Sequence, residues 1–247
     1  MTTTVDQNQS NDPQPSQDAS SMTFWEHLNE LRRRLFVAIG ALVITTLVGL
    51  LFADRFIVLL TRPIGGLQDL VSIEVTENVS VYMKVALLSG AILAMPVIVY
   101  ELLSFIAPGL TPKERRWVYA AVPFATLLFL TGVGFAYYVM LPNAIPFLLD
   151  FLGVKTTPRL SNYISFTTNL LFWIGVSFET PLLVFVLAKL KVVTAKGLAK
   201  QWRVAIVVIA IIAAVVTPTV DPVNMSLLMI PLTGLYLLSL LLAFLAR

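Results

Sequence analysis

Six apolar stretches, set apart by short polar connections, decide what this chain can fold into. A hydrocarbon layer about 30 Å thick takes about 20 apolar residues of helix to cross. The stretches run roughly from Leu35 to Phe52, Val79 to Leu103, Trp117 to Leu141, Tyr163 to Leu190, Val204 to Val216 and Met225 to Ala246. The fifth is short. About 13 residues at 1.5 Å each reach only about 20 Å, a mismatch met by thinning the bilayer, snorkelling flanks or packing against another protein. With 57% hydrophobic and 13% charged residues in 247, composition agrees with a membrane protein, since soluble domains carry about 25% charge. The expected fold is an all-α integral membrane protein of six transmembrane helices.

Six spans place both termini on one side, and the basic residues choose that side. Arg32, Arg33, Arg34, Lys113, Arg115, Arg116, Lys189, Lys191, Lys196, Lys200, Arg203 and Arg247 share it. Lysine and arginine collect in cytoplasmic loops close to spans, so both ends are expected in the cytoplasm. Residues 1–22 are polar, lack the basic start and apolar stretch of a signal peptide, and read as a disordered cytoplasmic tail. Residues 23–247 form the membrane domain. The connections 54–78 and 142–162 are too apolar for free loops and are expected to lie on the bilayer or cap the outer helix ends. No internal repeat is visible.

Two helix starts are written in the sequence. "TFWE" at 23–26 and "TPKE" at 111–114 place threonine three residues before glutamate, a capping-box pattern, and Pro112 stands at the first helical position, where proline is tolerated.

The residues limit the chemistry. There is no cysteine and a single histidine, His27, so neither a thiolate metal site nor a histidine cluster can form. No phosphate-cradling glycine loop and no catalytic triad can be assembled. The chain reads as a non-enzyme without metal or cofactor. His27 itself reads as a polar surface residue.

Three carboxylates carry information. Glu179, in "GVSFETP", falls near the middle of the fourth span. A charge there costs about 2.5–3.5 kcal/mol on insertion scales and by default marks function. The bland reading is a hydrogen bond to a neighbouring helix or to backbone loosened by Pro181, which should also kink the helix. Glu30, in "HLNELRRRL", either pairs along its own helix with Arg33 or Arg34, worth about 0.2–0.5 kcal/mol, or joins Glu114 as an acidic patch that accepts the fork of an incoming arginine. Glu114 is at once a capping residue and a candidate receptor. Asp221 before Pro222 is ordinary turn and cap chemistry.

Together "HLNELRRRL", "PVIVYELLSFIAPGLTPKERR", "GVSFETP" and "TPTVDPVNMSLLMIP" resemble the TatC family, the polytopic subunit of the twin-arginine protein translocase. The likeness spans all six helices and leaves out the N-terminal tail. It implies a concave bundle with short fifth and sixth helices in the cell (inner or plasma) membrane. It implies a receptor for the twin-arginine signal peptides of folded cargo, which assembles with TatA/TatB-type single-span subunits and further TatC copies. Export is then driven by the proton-motive force, with no nucleic acid and no cofactor involved. Carried over residue by residue, Glu30 and Glu114 match the carboxylates that receive the arginine pair. Leu31, Arg32, Phe105 and Pro108 match the surrounding recognition surface, and Glu179 matches the buried glutamate. Thr217, Asp221 and Met225 match the outer region linked to partner docking.

The chain departs from the family pattern in places. Glu101 and Leu103 stand where the family often has Gln and Trp. Met225 stands where Gln is common, and "TPTVDP" is one residue longer than the commoner loop. The rival reading is a proton- or ion-coupled small-solute transporter using Glu179, although such proteins often show repeated halves.

Overall fold

The computed structural model describes residues 24–106, 112–150, 156–216 and 222–245, and the tail 1–22 lies outside them. The described residues are helical almost throughout: α1 (Phe24–Thr61), α2 (Glu77–Ile106), α3 (Pro112–Phe135), α4 (Leu141–Leu149), α5 (Leu160–Phe178), α6 (Thr180–Lys189), α7 (Ala195–Lys200), α8 (Trp202–Val216) and α9 (Pro222–Leu245). Five helical segments are long and apolar enough to cross a membrane, and α8 is a shorter apolar helix of 15 residues. Six crossings result. The third is α3 and α4 joined through a π-helical turn at Ala136–Met140. The fourth is α5 and α6. The fifth, α8, is short as expected. The sixth is short only beside the first four: α9 has 24 residues, about 36 Å.

The first span extends well beyond its apolar core. α1 is one helix of 38 residues, about 57 Å long. It runs past Asp54 and Arg55 because charged residues outside hydrocarbon do not interrupt a helix. Glycine ends the turn that follows: Gly65 has φ +107° and caps Arg62–Ile64, a conformation that side chains resist.

The interior is two apolar clusters stacked along the membrane normal. One gathers Leu60, Val81, Val85, Leu141, Ile164 and Leu228. The other gathers Met95, Val99, Leu103, Ala121, Phe129 and Val186. Leu103, standing where the family often has tryptophan, is fully buried in the second cluster. Outward residues remain apolar, with Leu51 79% exposed, as lipid contact requires.

α1 meets α2 through small residues. A Cβ on Gly90 would stand 2.6 Å from the Thr46 Cα, and one on Gly49 would stand 2.6 Å from the Ala86 carbonyl oxygen. Small residues let membrane helices approach until backbones touch. The Thr45 hydroxyl donates to the Gly90 carbonyl at 2.8 Å, and the Tyr82 hydroxyl to that of Leu50 at 2.6 Å.

The connections that follow α1 and α4 are tied together by one carboxylate that the sequence did not single out. The Glu77 side chain is wholly buried. It accepts from the backbone N–H groups of Ile73 (2.9 Å), Glu74 (3.3 Å) and Ser161 (2.7 Å), and from Arg159 Nε at 3.0 Å. Arg159 also pairs with Glu74 at 2.7 Å. The hydrogen bonds from Arg159 to Glu74 and Glu77 raise its pKa above the ordinary value. A backbone bridge joins Val71 to Arg159. Ser161 lies in the first turn of α5, whose N–H groups lack intrahelical partners, so Glu77 caps a helix 84 residues away. Residues 54–61 and 142–149, expected in these connections, instead continue the helices as the end of α1 and as α4. Glu77→Ala leaves these donors unsatisfied. We expect protease cleavage between residues 62 and 76 to accelerate at least several-fold, while Gln68→Ala, an exposed change, leaves it unaltered.

Candidate functional site

α1 and α2 bring Glu30, Arg34, Glu101, His27 and Phe105 together at the end of the bundle opposite Glu77. Glu30 Oε1 accepts from Arg34 Nη2 at 2.6 Å and from Arg34 Nε at 3.0 Å. The local pairing foreseen for Glu30 is therefore formed, and with Arg34. Arg34 does more: its Nη1 reaches Glu101 Oε2 at 3.2 Å, across 67 residues of sequence. One guanidinium thus bridges two carboxylates on two helices.

This bridge leaves capacity unused. Glu30 Oε2 is buried and has no hydrogen-bond partner among the described residues. A carboxylate accepts about four hydrogen bonds, and an unsatisfied buried acceptor is costly. The site therefore holds one internal arginine and keeps an oxygen that can accept another donor.

The surroundings are aromatic and cationic. His27 stacks on Phe105, with ring centroids 4.3 Å apart and planes 27° apart. The residue read as a plain surface histidine thus braces a residue of the expected recognition surface. Leu31 is exposed, and the Arg32 guanidinium lies 5.6 Å from the Phe36 ring centroid. Arg115 reaches over Tyr119 at 5.7 Å. α3 starts at Pro112 as expected, so Glu114 stands in its first turn. The Glu114 side chain and the whole of Pro108 lie outside the described residues, and so do Thr217 and Asp221. Met225 is half-buried and packs against the first apolar cluster.

Glu179 sits where the fourth span breaks. α5 ends at Phe178 and α6 begins at Thr180. The proline-induced kink is realised as this break, with Pro181 fully buried. The Glu179 carbonyl accepts from both Leu182 and Leu183 at 3.0 Å. The residue is 5% exposed, and Oε1 has no hydrogen-bond partner among the described residues. The bland role, a bond to loosened backbone or a neighbouring helix, is unfilled for this oxygen among the described residues.

No group of three or more His, Cys, Asp or Glu able to hold a metal occurs among the described residues. Glu101, His27 and Glu77 were missed as site or scaffold residues, and so was the second partner of Arg34, because these contacts are remote in sequence. Only the extra acid at 101 was a visible signal.

Comparison with known proteins is consistent across the chain. The family model described as Sec-independent protein translocase protein (TatC) matches residues 26–231. A Sec-independent protein translocase protein TatC of Carboxydothermus hydrogenoformans is 37% identical over 225 residues, 90% of this chain and 93% of the relative. The chloroplastic TATC of Arabidopsis thaliana is 36% identical over 224 residues, covering 89% of this chain and 66% of the relative. Two crystal structures of a twin-arginine translocase receptor TatC superpose with TM-scores of 0.80 and 0.81, at 35% and 34% identity. Each covers 90% of this chain, and the chain covers 99% and 100% of them. On the family match, the identities and the shared fold, the chain belongs to the TatC family of multi-pass membrane proteins, components of the twin-arginine protein translocase rather than enzymes or small-solute transporters.

Proposed function

We propose that the protein is the signal-peptide receptor of a twin-arginine translocase, and that the arginine pair of a folded cargo is read by Glu30 and Glu114. The observation that carries this reading is the buried Oε2 of Glu30, without a hydrogen-bond partner among the described residues, beside an arginine already bound to Oε1. The pocket accepts guanidinium chemistry in its resting state. Leu31, Arg32, Phe105 and Pro108 frame the peptide. The planar fork of arginine suits a carboxylate in a way that a lysine ammonium does not.

The wider assignment rests on the same reading. The protein lies in the cell (inner or plasma) membrane with both termini in the cytoplasm. It gathers TatA/TatB-type single-span subunits and further copies of itself, and transport draws on the proton-motive force. Thr217, Asp221 and Met225 form its outer docking region. Glu179, on a broken helix, supplies a polar group at mid-span for an assembling partner.

The test is crosslinking of a signal peptide to the full chain in membranes, comparing Arg-Arg with Lys-Lys. Capture of the Arg-Arg peptide alone is expected, and equal capture of both sinks the receptor reading. Glu114→Gln separates cap from receptor, because glutamine also completes a capping box. We expect normal abundance with capture of the Arg-Arg peptide reduced about tenfold, a loss of roughly 1.4 kcal/mol. Undiminished capture by this variant returns Glu114 to the role of a cap.

A further inference from the structure

A cleft between α1, α2 and α5 has no part in reading a signal. Its volume is about 400 Å³. One end is polar: Lys84 Nζ donates to the Ser165 hydroxyl at 2.8 Å, with Asn169 beside them. The walls below are Leu42, Leu87, Leu88 and Phe172.

Lys84 is the only charged residue of α2 between Glu77 and Glu101. It is exposed and forms no ion pair among the described residues. The exposed amide of Asn169 likewise has no hydrogen bond among them. An intramembrane cation normally faces a partner, and here the protein supplies only a hydroxyl.

Depth points to the missing partner. α2 has 30 residues, about 45 Å, and overhangs the hydrocarbon at its ends. Lys84 is seven residues, about 10 Å, from the start of α2. Helical side chains lean toward the N-terminus, and a lysine stem carries its ammonium further that way. The charge therefore reaches the headgroup boundary of the leaflet nearer residues 62–76. The apolar walls continue about two turns inward, from Lys84 and Ser165 to Ala91 and Phe172.

We propose that this cleft binds one anionic phospholipid, its phosphate on Lys84, Ser165 and Asn169 and one acyl chain along Leu42, Leu87, Leu88 and Phe172. Charge complementarity selects an acidic headgroup over a zwitterionic one.

The test uses the full chain reconstituted in vesicles of equal parts phosphatidylglycerol and phosphatidylcholine, re-extracted gently, with retained lipid read by native mass spectrometry. Wild type and Lys84→Arg are expected to retain phosphatidylglycerol with about tenfold preference. Lys84→Gln falls to parity. Ala91→Trp keeps the charge but fills the cleft, and loses the retained lipid. The proposal is overturned by parity in the wild type, by preference surviving Lys84→Gln, or by lipid retained in Ala91→Trp. Should Lys84→Gln not accumulate, Lys84→Arg against Ala91→Trp decides alone. A photo-crosslinker at position 169 that captures a protein helix instead of lipid also overturns it.

Discussion

Glu30→Gln is expected to lower affinity for an Arg-Arg signal peptide about 30-fold or more while the protein still inserts and accumulates. Truncating one partner of a hydrogen-bonded charge pair in an interface costs about 2–5 kcal/mol, and each 1.4 kcal/mol is a factor of ten. Glutamine keeps the shape of the side chain and one acceptor oxygen, but neither the charge nor the second acceptor. Arg34 retains Glu101 at 3.2 Å, so the fold is not left with a stranded cation. Glu101→Gln is expected to weaken binding less than tenfold, because it acts through the position of Arg34. The measurement is fluorescence anisotropy of a labelled peptide against the purified chain. Equal affinity of wild type and Glu30→Gln would remove Glu30 from the receptor.

Gly90→Leu is expected to have the largest effect on stability. The new side chain begins 2.6 Å from the Thr46 Cα, so the obstacle is backbone rather than a flexible tip. Overpacking costs about 1–3 kcal/mol where neighbours can adjust, and occasionally more. A cost of at least about 3 kcal/mol is expected here, since α1 must move bodily and the bond from Thr45 to the Gly90 carbonyl is lost. Gly40→Leu is the control, because a Cβ at Gly40 meets nothing within 4 Å. Thermal unfolding in detergent should separate the two variants, and equal melting temperatures would dismiss the tight crossing. The same variant also spreads Glu30 and Arg34 from Glu101, so peptide binding should fall with stability.

Much of this was legible in the sequence, for reasons that differ by residue. The spans could be read because lipid demands long apolar runs, and the break at Glu179 because Pro181 removes a donor. The start of α3 at Pro112 followed from proline's fixed geometry. Local pairing of Glu30 was also foreseeable, since residues four apart share a helix face. The second half of that interaction was not, because Glu101 is 67 residues away and nothing local points to it. Glu77 escaped for the same reason: its partners Arg159 and Ser161 are more than 80 residues on. α1 outran the apolar stretch that announced it, because hydropathy marks where oil lies rather than where a helix stops.

That last point bears on when a cargo is inspected. Between Arg34 and Asp54 lie nineteen residues without a charge, about 28 Å of helix, close to the full hydrocarbon depth. Glu30 stands one turn beyond that boundary, on helix that is already in the watery margin. Under the proposed function, an arginine pair is examined before any part of it leaves water. Inspection and crossing are then separate events, and a rejected passenger diffuses away without its charges having met oil.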